Sequence, residues 1–170
     1  FPGGKMELFG MKTPAQKAQL VLDKFRAHRQ PIFHIQHISI QPGATFFLPD
    51  TQGVETHPSV APLKDERIIQ KHFPSAFRDT PLLDELKERN IDSLVICGAM
   101  SHMCIDATTR AAADFGFGCT VVHDACATRN LDFGKKKILA QDVHASFMAA
   151  LGSAYANVLD CQEFISKTGK

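Results

Sequence analysis

The sequence predicts a three-layer α/β fold: a central parallel sheet with helices on both faces. Two observations predict it. Apolar runs of strand length, such as "SLVICG" at 93–98, alternate with stretches of helical spacing along the whole chain. Those runs are continuously apolar rather than alternating, which marks strands covered on both sides. A third observation sets the scale: 170 residues, 44% of them hydrophobic, suit one domain with a sizeable core.

Each element follows from its own pattern. Residues 14–29, "PAQKAQLVLDKFRAHR", place Ala18, Val21, Leu22 and Phe25 on one face with charges opposite. Thr13 can cap and Pro14 suits a first turn, so this is a helix. "PIFHIQHI" at 31–38 reads as a strand. A loop from Ser39 to Arg67 follows, and loops of this length are usually functional or lids. It leads into a weaker strand, "IIQK", at 68–71. "TPLLDELKERN" at 80–90 repeats the Thr-Pro start and forms a helix with Leu82, Leu83 and Leu86 inward. "DSLVICG" at 92–98 is a buried strand, 102–115 a helix, "CTVVHD" at 119–124 a strand, and 133–151 one long helix. "ANVLD" at 156–160 is a short strand and "CQEFISKT" at 161–168 a final short helix.

Composition excludes several classes. Nineteen basic and 18 acidic residues leave a net charge of +1, so no nucleic-acid partner is expected. The run "KKK" at 135–137 reads as the exposed face of a helix. No apolar run is long enough to span a bilayer, and no signal peptide is recognisable. Five cysteines, an odd number without C-x-x-C spacing, read as thiols of a reduced, cytoplasmic protein. Four of them are expected to be small core hydrophobes.

In an open parallel sheet the ligand lies outside the carboxyl ends of the strands. The ends of "FHIQH" and "IIQK" and the segment "GAMSHMC" converge on that edge. With Ser101 as N-cap, Cys104 falls in a first helical turn, where unpaired N–H groups favour a thiolate and could receive an oxyanion. From position alone Cys104 is either a nucleophile or a buried cysteine without a role. Lys71 ends a strand on the same edge; it is either a partner for that thiol or an ordinary solvated lysine.

The segments "PGGKM", "QKHFPSAF..T.L...L", "VICGAMSHMCIDATTRAAADFGF" and "VVHDACAT" resemble the isochorismatase-like cysteine hydrolases, in order and over nearly the whole chain. The most specific element is strand–G-x-x-S/T-x-x-C–helix with a lysine about thirty residues upstream. The resemblance implies a Rossmann-like parallel sheet and, as in nicotinamidase-related amidases, an Asp–Lys–Cys triad. Lys71 matches the triad lysine and Cys104 the nucleophile. It also implies a non-proline cis peptide at Ala99–Met100, which would aim the Met100 N–H, with that of Cys104, at the oxyanion.

The triad aspartate belongs to a central first strand, in a segment like "LLVIDxQNDF" just before "PGG", whereas this sequence opens "FPGG". The expectation is therefore a single domain, residues 1–170, without its first strand, with roughly ten or more residues preceding it in the natural protein. Asp106 is more simply a first-turn helix acid than a substitute.

Nicotinamidases hold a metal through an aspartate and histidines after the second strand. Here "HIQHIS" has no aspartate, and His34, His37 and His57 are irregularly spaced, so neither metal nor other cofactor is expected. His37 is expected to be a polar group of the substrate pocket. Its other walls are Phe46, Phe47, Phe73, Phe77, His102 and Met103, although aromatics near a mouth are as often plain core. True isochorismatases cleave a vinyl ether and carry another residue at the cysteine position, so Cys104 argues against that activity.

The resulting expectation is a homo-oligomeric hydrolase of a small-molecule amide (C–N) bond, working through a thioester. The alternatives are a non-catalytic binding or assembly module on the same fold, motivated by the absent aspartate, and a thiol redox sensor.

Overall fold

The parallel strands lie in two hydrogen-bonded ladders. In the computed structural model, which describes residues 3–167, β1 (Phe33–His37) pairs with β2 (Arg67–Lys71). Separately, β3 (Ser93–Ala99), β4 (Gly118–Ala127) and β7 (Asn157–Leu159) form a parallel ladder in the order β3-β4-β7. Among the described residues no ladder joins β1 to β3. A cavity of about 680 Å³ lies between them, walled by Phe33 and Ile35 on one side and Val95 and Cys97 on the other.

Helices cover both faces, as the apolar strands require. On one face Val21 of α1 (Lys12–Ala27) and Phe164 of α5 (Cys161–Lys167) pack with Val122. On the other, Leu82 and Leu86 of α2 (Leu82–Glu88) and Ala112 of α3 (Asp106–Asp114) pack with Ile69 and Cys119. Met148 and Leu151 of α4 (Ala140–Ala154) share that face with Val121. Val121 and Val122 are both fully buried and face opposite layers, the period-two alternation of a strand. Among the described residues no helix is long and apolar enough to cross a membrane.

The structure corrects several expected boundaries. Residues 133–151 are not one helix. Leu131–Phe133 (β5) and Lys136–Ile138 (β6) form an antiparallel hairpin whose turn passes through Gly134 at φ 61°, a left-handed conformation that favours glycine. The helix begins only at Ala140, whose N–H donates to the Asn130 side chain at 2.7 Å. Lys136 and Lys137 are accordingly exposed strand residues. Likewise Thr13 lies inside α1 rather than capping it; Met11 holds the cap position without a side-chain bond, and Pro14 falls in the first turn as expected.

The strand expected at 119–124 runs on to Ala127, with a register shift that carries its partners from Ile96↔Val121 to Gly98↔Cys126. Asp124, near its end, accepts the Cys161 N–H at 2.8 Å and so starts α5. The expected last residue of that helix, Thr168, lies outside the described residues, as do Phe1 and Pro2.

The long loop contains two short 3₁₀ turns, Gln52–Val54 and Pro58–Val60. Its far end is clamped to α1 and β1 by Glu66. That carboxylate receives Arg26 Nε at 2.7 Å and the Leu63 N–H at 2.8 Å, and stands 2.8 Å from His34 Nε2. The Arg26 guanidinium above all holds the Glu66 carboxyl down to about 2.

Candidate active site

The parallel register of β1 and β2 sets His37 beside Lys71, the last residue of each strand. Lys71 is buried, 3% exposed, and a buried ammonium must find acceptors. Its Nζ donates to the carbonyls of Phe73 (2.7 Å) and Pro74 (3.0 Å). The same nitrogen lies 3.1 Å from Cys104 Sγ and 3.1 Å from His37 Nδ1. The solvated-lysine alternative is thereby excluded.

The collar of carbonyls around Lys71 is tied to the cysteine's own helix. The Ala76 N–H donates to Thr108 Oγ1 at 3.0 Å, and Thr108 follows Cys104 by one helical turn. Thr80 Oγ1 in turn donates to the Ala76 carbonyl.

Cys104 sits in a π-helical turn, Ser101–Ile105, between β3 and α3. The peptide bond Ala99–Met100 before it is cis. Ser101 is not the N-cap; Met100 holds that position. The Ser101 hydroxyl instead turns inward, wholly buried, to the Ala127 carbonyl (3.3 Å) and His144 Nδ1 (2.9 Å).

Among the expected site residues, the catalytic pair Lys71 and Cys104, Ala99 of the oxyanion turn and Phe77 of the pocket line the cavity between the ladders. Phe77 also packs on Phe115 and Phe117, with ring centres 5.3 and 6.2 Å apart, so it is part of the core as well. The loop brings Phe47 to within 5.2 Å of the His37 ring, and Phe46 meets Phe47 edge-on at 5.3 Å. Phe73 lies under the Arg78 guanidinium at 3.6 Å. His102 Nδ1 is 2.5 Å from Thr128 Oγ1, and Met103 is 41% exposed. The walls of that cavity do not include His37, Phe46, Phe47, Phe73, Met100, His102 or Met103.

Burial, then the neighbouring Lys71 ammonium, pushes His37 down to about 4, so it faces Lys71 as a neutral imidazole. His102 is lowered by burial and then by Arg129. Burial pushes the Cys97 thiol up to about 11 and raises Cys119, Cys126 and Cys161 as well. Cys119, Cys126 and Cys161 are buried as small core residues, while Cys97 is half-buried at the cavity wall.

Asp106 pairs with Arg110 at 2.9 Å, one turn along α3, as a first-turn acid should. Among the described residues no carboxylate stands within ion-pair distance of Lys71. Nor do they include a group of three or more His, Cys, Asp or Glu side chains able to hold a metal. His34 turns to Glu66, His37 to Lys71 and His57 to Ser59.

Sequence reasoning missed Thr108, His144 and Asn130. Thr108 was within reach, since four residues past Cys104 on a helix is the same face. His144 and Asn130 carried no such signal.

Comparison with known proteins places the chain by sequence and by fold. The family model described as the Isochorismatase domain matches residues 3–162. An uncharacterized isochorismatase family protein, YddQ of Bacillus subtilis, is 48% identical over 97% of this chain and 92% of its own length. Streptothricin hydrolase of Streptomyces noursei is 37% identical over 65% of this chain and 43% of its own. The crystal structure of an isochorismatase from Pseudomonas putida superimposes with a TM-score of 0.89 at 34% identity, over 94% of this chain and 81% of that one.

Proposed function

The chain belongs to the isochorismatase family of hydrolases, and we propose that it is a cysteine hydrolase that cleaves a small-molecule amide. One observation carries the reading: a buried ammonium 3.1 Å from a thiol at the head of a helix. An adjacent cation favours the thiolate over the thiol.

In this reading the Cys104 sulfur attacks the substrate carbonyl carbon, and the carbonyl π electrons move to oxygen. The N–H groups of Met100 and Cys104 receive that oxyanion. Its collapse breaks the C–N bond. The amine leaves with the proton first taken from the thiol, and the acyl group stays on Cys104 as a thioester. Water then attacks the thioester, giving the acid and the free thiol.

The thiol proton needs an acceptor, and His37 is a poor one because it already faces the Lys71 ammonium. The acceptor is proposed to be an aspartate carried by a further strand between β1 and β3, as the resemblance implies. The facing edges of those strands leave backbone groups for such a strand to pair.

Intact-mass spectrometry after brief mixing with a panel of small amides tests the reading. The expected result is an acyl adduct lost in Cys104→Ser, with matching release of ammonia or amine. A second reading, a binding module on the same fold, draws on the lack of any described carboxylate near Lys71. Saturable binding of an amide without adduct or amine release would favour it.

A further inference from the structure

We propose that His144 is a positioning residue for acyl transfer: through the buried Ser101 hydroxyl it holds the Met100–Cys104 turn that receives the oxyanion. This rests on the cysteine-hydrolase reading and adds to it a residue some forty positions from the nucleophile.

The argument starts from an accounting of protons. Ser101 is 0% exposed, and a buried hydroxyl is costly unless it is hydrogen-bonded. A hydroxyl has one proton to give. Ser101 Oγ–H donates it to the Ala127 carbonyl at 3.3 Å, an atom that can only accept. The 2.9 Å contact to His144 is then a bond from the His144 Nδ1–H to Ser101 Oγ. Ala127 is the ladder partner of Ala99 and ends β4, while His144 lies one turn into α4. The hydroxyl therefore joins the turn to a strand end and to a helix.

Ser101 stands between Met100 and Cys104, so its displacement moves the N–H groups on either side. Among the described residues, the side-chain hydrogen bond of His144 goes to Ser101. Its ring neighbour is His123, with centres 6.0 Å apart. α4 itself is anchored one turn earlier, where Asn130 accepts the Ala140 N–H. His144 thus reaches the turn from a fixed point.

Two reactions of Cys104 separate positioning from simple support of the fold. Iodoacetamide alkylates the sulfur by displacing iodide and forms no oxyanion. p-Nitrophenyl acetate transfers its acetyl group to the sulfur through an oxyanion and expels p-nitrophenolate. His144→Ala should slow p-nitrophenolate release about tenfold while the alkylation rate stays within twofold, because misplacing a donor costs less than deleting one. His144→Asn, whose amide can donate in place of Nδ1–H, should recover most of the loss. Ser101→Ala should match His144→Ala, and the double variant should be no slower than either single one. Equal slowing of both reactions, or no rescue by Asn, would mean a structural role only and overturn the proposal. An unchanged acylation rate in His144→Ala overturns it alone. Failure of the natural full-length protein to release p-nitrophenolate overturns the cysteine-hydrolase reading, and the proposal with it.

Discussion

Lys71 Nζ stands 3.1 Å from Cys104 Sγ across 33 residues of chain and two intervening elements. Neither side chain could hold this contact alone. Lys71 is fixed by the carbonyls of Phe73 and Pro74, and the loop carrying them is pinned to the cysteine's helix at Thr108. Lys71→Ala should slow iodoacetamide alkylation of Cys104 at pH 7 by about tenfold, with the circular dichroism spectrum unchanged. Lys71→Arg should restore only part of the rate, since a planar fork does not fit where a compact ammonium sits. An unaltered rate in Lys71→Ala would remove Lys71 from the mechanism.

Thr108→Val keeps the shape of the side chain but takes away the acceptor for the Ala76 N–H. Leaving that part-buried donor unpaired should cost about 1–3 kcal/mol of stability, measured by urea unfolding. The alkylation rate should fall too, because the Lys71 collar loosens. A stability loss with unchanged reactivity would show that Thr108 supports the loop without aligning Lys71.

Asn130→Ala removes the acceptor at the start of α4. The expected loss is about 1 kcal/mol, a fall in Tm of roughly 2–4 °C. No change in Tm would mean that water replaces the side chain at no cost.

The histidines impose a pH dependence whose sign follows from their lowered values. The unfolded chain takes a proton at His37 near 6.5, the folded chain only near 4. Between those values the unfolded state binds more protons, so stability falls as pH drops from 6.5 towards 4. His102 and His144 are lowered by burial and act in the same direction. His37→Gln should flatten part of this slope in urea melts at pH 7.5 and pH 5. An identical slope would show that His37 titrates freely.

Glu66 acts in the same direction, in a lower pH window. Its carboxyl is held near 2 by Arg26, against an ordinary value of 4.5. Its contribution is complete above 4.5 and disappears as pH falls through 2. Glu66→Gln should therefore cost about 1–3 kcal/mol at pH 7 and markedly less at pH 2, in chemical melts at the two pH values.

By itself the sequence determined the layers, the parallel strands and the place of Cys104. These follow from patterns that repeat within an element: unbroken apolar runs for β3 and β4, 3.6-residue spacing for α1, and a turn where "SLVICG" meets the cysteine's helix. The hairpin at 131–138 was not legible, because the two three-residue strands are too short to show a period and their lysines suit a helix equally well. Tertiary structure alone decided which side chains meet. The register His37↔Lys71 is set by how β1 lies against β2, and the bond between Ser101 and His144 by how α4 crosses the turn. Local spacing reports the face a residue occupies on its own element. What faces it from another element depends on register and on the path of the loops between, and nothing in a residue's own neighbourhood along the chain encodes that.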